Sequence, residues 1–129
     1  MAVKAIAKGV RISPRKVGVV AALVRGRTVS DAVTILSHVP RRGPALAIKK
    51  AVESAAANAE HNHNLKPGTL SIVEISVTAG PRLKRYRPAA HGRALPFQRR
   101  TSHIFVTVDG ETRAPKKPAA KAKTEKEAK

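Results

Sequence analysis

At 129 residues the chain has room for one small core with extensions, and not for two. Twenty-six Lys and Arg against eight Asp and Glu leave a formal charge of +18, a strong self-repulsion that a polyanionic partner would relieve, nucleic acid ahead of an anionic membrane. Cysteine is absent, which excludes disulfides and thiolate metal sites, and only Tyr86, Phe97 and Phe105 are aromatic, which argues against modules that stack unpaired bases on rows of rings.

Lys4, Lys8 and Arg11 interrupt Val3, Ala5, Ile6, Val10 and Ile12 in a rough alternation that predicts a first strand of undetermined phase. Ser13 ahead of Pro14 offers an N-cap followed by a proline at the first helical position, where a missing N–H costs nothing. A helix is predicted over 14–25, with Val17, Val20, Ala21 and Val24 on one face and Gly26 as its left-handed stop. Ser30 is expected to cap a shorter helix that carries Val33 and Leu36 and ends before Pro40, because the residue ahead of a proline avoids the helical region. Arg41, Arg42 and Gly43 read as a basic turn. Pro44 is expected to open the longest helix, with Ala45, Ile48, Val52, Ala55 and Ala59 on a single stripe, and the turn chemistry of 62–64 and 67–68 ends it.

Val73, Ile75, Val77 and Ala79 alternate with Glu74, Ser76 and Thr78, while Ile104, Val106 and Val108 alternate with Phe105 and Thr107. Both segments read as half-buried strands facing the helix stripes. Between them, 80–101 holds Arg82, Lys84, Arg85, Arg87, Arg93, Arg99 and Arg100 and no acidic residue. Leu83, Tyr86, Leu95 and Phe97 are interspersed, and Pro88 with Gly92 suits the tip of a long hairpin. Ten or so residues per arm would project ~35 Å. Such a ribbon buries no core of its own and is expected to order only inside its partner. Six of its seven cations are Arg, which forks onto phosphate oxygens as Lys does not. Residues 1–109 thus read as one domain including the arm at about 80–101, and 110–129, with no apolar side chain larger than Ala, as a disordered basic tail.

No constellation for catalysis is visible. Asp31, Glu53, Glu60 and Glu74 are scattered, phosphate-loop motifs are absent, and Ser102 and His103 are adjacent, so on a strand they point to opposite faces. His61 and His63 have no third ligand at a recognisable spacing, so neither a metal nor a cofactor is expected. The longest apolar runs fall short of the ~20 residues of a membrane span, and no signal peptide is evident, which favours a soluble cytoplasmic protein. A nucleoid DNA-binding protein, a membrane-active basic protein and a nuclease using His61 are the rival readings.

Four blocks carry a more specific signal: 54–62 (SAAANAEHN), 80–85 (GPRLKR), 92–94 (GRA) and 99–104 (RRTSHI). In order and spacing they resemble the bacterial large-subunit ribosomal protein L-twenty-two family, with similarity from about Val3 to Val108. The resemblance implies an α+β fold in which three helices pack on a small three-stranded antiparallel sheet, from which a long hairpin reaches into the subunit. It implies a structural role without enzymatic activity: binding large-subunit ribosomal RNA beside neighbouring ribosomal proteins, supporting subunit assembly and translation, and lining part of the polypeptide exit tunnel. The RNA-binding set is Arg11 and Arg25 together with, carried over by position, Ser13, Arg15, Lys16, Arg82, Lys84, Arg85, Arg87, Arg93, Arg99, Arg100, Thr101, Ser102 and His103. The tunnel-lining set, facing the nascent polypeptide, is Lys84, Arg85, Tyr86, Arg87, Pro88, Ala89, Ala90, His91, Gly92 and Arg93. This chain departs from the family at Ala89, where an arginine is usual, and at Pro96, which removes a ladder donor from the return strand.

Overall fold

The computed structural model describes residues 2–113. They run β1 (Val3–Val10), α1 (Pro14–Val24), α2 (Val29–His38), α3 (Arg42–His63), β2 (Ser71–Pro88) and β3 (Ala94–Asp109), with 3-10 turns at Pro67–Thr69 and Ala90–Gly92. The sheet has the order β1-β3-β2 with both pairings antiparallel, so the fold is α+β with β3 at the centre. One sheet face, with Val3, Ala5, Ile72, Ile75, Ile104, Val106 and Val108, is buried together with the helix stripes of Val17, Val20, Val24, Ile48, Val52, Ala55 and Ala59. Ala45, Ala55 and Ala59 on the α3 stripe leave space for close approach.

Several boundaries differ from the sequence expectations, each for a local reason. α1 stops at Val24; Arg25 is already extended, and Gly26, at φ +73°, turns the chain. Thr28 caps α2 in place of Ser30, its hydroxyl accepting from the Asp31 N–H at 3.3 Å. The bridge of Thr28 to Ser71 and the bond from Val29 N–H to Leu70 O fix the extended conformation a cap needs, so the helix starts before Ser30. α3 begins at Arg42 with Pro44 inside its first turn, where N–H groups have no intrahelical acceptor and a proline loses nothing. At its other end Asn64 takes the left-handed conformation, φ 50°.

In β2 a bulge between Ile72 and Glu74 rotates Val73 outward, leaving it 57% exposed and putting Ile72 in the core position expected of it. β1 takes the phase with Val3 and Ala5 inward and Ile6 outward, and a bulge between Ala7 and Val10 passes through Gly9 at φ +70°. Leu65 and Leu70, in the connection from α3 to β2, are buried although no sequence period marks them. The domain also runs past 109: Lys66 N–H bonds Glu111 O at 2.9 Å, Arg113 N–H bonds Asn64 O at 2.7 Å, and Leu65 bridges Thr112. Residues 111–113 are therefore exposed but hydrogen-bonded to the domain, and the rest of the expected tail, 114–129, lies outside the described residues.

Beyond a second bulge between Ala79 and Arg82, β2 and β3 continue as a two-stranded ribbon from Arg82↔Arg100 to Pro88↔Ala94. At ~3.3 Å per residue its paired part is roughly 20 Å long, shorter than expected because 89–93 form the turn. Pairing persists across Tyr86↔Pro96. Both strands of such a ribbon are edges, where a proline without a donor is tolerated.

Candidate nucleic-acid interface

Three segments distant in sequence converge where the arm leaves the domain. The chain leaves β1 through Arg11 and Ile12 and enters α1 at Ser13-Pro14; the 41–44 turn enters α3; and β3 returns from the arm through Gln98, Arg99 and Arg100. One hollow is lined by Arg11, Ser13, Lys16, Gly43, Pro44, Arg99 and Arg100, and a second, sharing Lys16, Gly43 and Pro44 with it, by Arg41 and Arg42. A third continues up the ribbon, with Arg11, Leu83, Arg85, Phe97, Arg99 and Arg100 in its walls. Neither α1 nor α3 has a side-chain cap bond at its start, so the partial positive ends of two helices add to the guanidinium and ammonium groups. No acidic side chain lines any of the three hollows. The acidic residues that the structure describes are on α2 and α3, at Glu74 near the start of β2, and at Asp109 and Glu111.

On the ribbon, Arg82, Lys84, Arg85, Arg87, Arg93, Arg99 and Arg100 are all exposed. Cross-strand pairs share a face, so Leu83, Arg85, Arg87, Leu95, Phe97 and Arg99 make one side and Arg82, Lys84, Tyr86, Pro96, Gln98 and Arg100 the other. The Arg87 guanidinium lies over the Phe97 ring at 4.8 Å to its centroid, a cation–π contact that half-covers the ring. At the tip the Ala89 N–H bonds Arg93 O at 2.8 Å, and His91 and Gly92 adopt φ of 58° and 68° in succession. Pro88, Ala90, His91, Gly92 and Arg93 are exposed there, and Ala89 is half-buried.

Not every residue singled out in the sequence joins this surface. Arg15 is exposed in the first turn of α1, next to Lys16. Arg25 is at the opposite end of α1, where its Nη2 donates to Ile75 O at 3.1 Å and ties the helix end to β2. Thr101 and Ser102 are buried. The Thr101 hydroxyl donates to Pro81 O at 2.6 Å and so closes the base of the arm. The His103 Nδ1 accepts the Gly9 N–H at 3.0 Å, which pins the bulge of β1 and leaves the ring proton on Nε2 when the imidazole is neutral. Conversely Arg41 and Arg42, visible in the sequence only as a basic turn, belong to the groove. Their distance from 99–100 along the chain hides that neighbourhood, and a run of two arginines at a helix start was the only signal available.

Comparison with known proteins identifies the family of the chain. The family model described as Ribosomal protein L22p/L17e matches residues 5–109. The large ribosomal subunit protein uL22 of Clostridium tetani is 52% identical over 108 residues, covering 84% of this chain and 96% of that protein. The protein of the same name from Oceanobacillus iheyensis is 49% identical over 108 residues, 84% of this chain and 95% of its own length. A match of this extent spans the helices, the sheet and the whole arm, and the chain belongs to the ribosomal protein L22p/L17e family.

Proposed function

We propose that this chain is a structural, non-enzymatic component of the large ribosomal subunit in the cytoplasm, and that it binds large-subunit ribosomal RNA through the groove and the arm. The observation that carries the reading is the succession of Lys and Arg side chains from the starts of α1 and α3 to the hairpin tip, with no carboxylate among them. Phosphates are the complementary ligand: each one neutralised releases condensed counterions, and guanidinium groups fork onto its oxygens. The ribbon, two paired strands with little apolar cover, would find that cover by packing inside a partner.

Arg11, Ser13, Arg15 and Lys16 would meet RNA at the domain, joined by Arg41 and Arg42, with Arg99 and Arg100 where the arm departs. Thr101 and His103 would act there by shaping the arm's base, with Ser102 buried between them. By kinship with the family the tip, 84–93, forms part of the exit tunnel wall and meets the nascent polypeptide, with other large-subunit proteins beside the domain. A tagged copy should co-sediment with the large subunit, and purified protein should bind a large-subunit RNA transcript with an affinity that falls steeply with salt. Equal affinity for random duplex DNA would overturn the reading.

A further inference from the structure

Tyr86 is the one tyrosine in the chain, and the chain has no tryptophan. Its side of the ribbon is the face away from Phe97, and it is 73% exposed. The other two rings are provided for: Phe97 is half-buried under the Arg87 guanidinium, and Phe105 is half-buried on the central strand. Directly across the ladder from Tyr86 stands Pro96, a flat, rigid apolar neighbour with no rotamer freedom to lose. The next rungs on the same face are Lys84 with Gln98 and then Arg82 with Arg100. Reading outward along that face, the ribbon presents two guanidinium groups, an ammonium beside an amide, and then an uncovered ring beside a proline.

That sequence of groups fits a short stretch of unpaired nucleic acid, with phosphates on the cations, a base edge within reach of the Gln98 amide, and a base plane on the ring. Resting on the RNA reading above, we propose that Tyr86 and Pro96 form a stacking site for one unpaired nucleobase of the large-subunit RNA. Towards the tip the next rung on this face is Pro88 with Ala94, and towards the domain it is Lys84 with Gln98; an apolar protein surface on the ring would have to desolvate the Lys84 ammonium, whereas a base there can place its own phosphate on it. Stacking gives the arm a contact that charge alone does not supply. Phosphate contacts tolerate sliding along the backbone, whereas a base held on Tyr86 fixes the register of the hairpin on its RNA.

Intrinsic fluorescence tests this directly, because all tyrosine emission of the full-length chain comes from residue 86. Titration with a large-subunit RNA transcript should quench that emission along the same curve as filter retention. Inorganic polyphosphate, which neutralises the cations but carries no bases, should leave it unquenched. At fixed salt, Tyr86→Phe should bind within about twofold of the parent. Tyr86→Leu, which keeps apolar bulk but has no π-face, should bind about 5- to 150-fold more weakly with an unchanged salt slope, the range that base–aromatic stacking contributes per base. RNA retained on the filter without quenching, equal quenching by polyphosphate, or a Leu variant as tight as the Phe variant would each overturn the stacking site and leave the RNA reading standing. Failure of the parent chain to retain RNA would instead sink that underlying reading.

Discussion

A Cβ on Gly80 would sit 2.5 Å from Thr101 Oγ1 and 3.3 Å from His103 Cε1 and Nε2, so glycine there is what lets the two strands close as they leave the domain. The space it frees is used by the Thr101 hydroxyl, which reaches Pro81 O, and by the imidazole that accepts from Gly9. Next to this network the Ser102 hydroxyl is fully buried, with no hydrogen-bond partner among the described residues. An unpaired hydroxyl in such a place costs roughly 1–3 kcal/mol of desolvation. Ser102→Ala should therefore leave stability unchanged or raise it by about 1 kcal/mol, read as a higher urea midpoint with the same m-value, and RNA affinity should not move. A destabilised alanine variant would mean that the hydroxyl has a bond to ordered water that matters to the fold.

At the scale of elements, the arm and the core divide cleanly, and this makes the arm removable. None of the buried apolar residues lies between 76 and 103, so excising the ribbon removes little hydrophobic stabilisation. Leu83 pairs with Arg99, which defines where to cut: 84–98 can be replaced by Asn-Gly, a two-residue hairpin turn matched to antiparallel strands. The shortened protein should melt within a few degrees of the parent. Having lost Lys84, Arg85, Arg87 and Arg93, it should show a salt slope of RNA binding lower by roughly three, at about 0.7–0.9 per phosphate contact. A circular dichroism melt and a filter-binding salt series read the two halves separately, and an unfolded product would refute the division into domain and arm. The same division explains what was legible in the sequence. The arm could be read because a cation-rich, acid-free run sits between two alternating strands, and helices α1 and α3 because their stripes are long. Val73 reads as a core position because a bulge shifts phase without leaving a mark in an apolar-rich strand, and Leu65 and Leu70 are silent because isolated leucines in a connection carry no period. The cap at Thr28 is not legible locally because what selects it over Ser30 is a bridge to Ser71, a partner far along the chain.

At the scale of the molecule, the acidic side chains of the described residues stay off the groove, and the pattern decides which cations can act together. The groove assembles Arg11, Lys16, Arg41, Arg42, Arg99 and Arg100 from three separate stretches, whereas Arg25, just past the far end of α1, is committed to Ile75 O. Sequence alone ranks these residues differently, with Arg25 in the RNA-binding set and 41–42 read only as a basic turn; the packing of α3's start against the exit of β1 is what brings the 41–42 turn to the groove. If the groove acts as one phosphate-binding surface, then replacing Arg41 and Arg42 by Gln should weaken RNA binding about as much as replacing Arg99 and Arg100 does. Each pair should lower the log–log salt slope by roughly 1.5 while melting temperatures stay near the parent's, because all four side chains are exposed. Arg25→Gln should do the reverse. It removes a charge-assisted bond to a backbone carbonyl, so about 1.5–3 kcal/mol of stability should be lost, at most, with the salt slope unaltered. Measuring slope and urea midpoint on the same three variants separates an RNA-facing cation from a structural one, and an unchanged slope for the Arg41/Arg42 pair would remove α3's start from the interface.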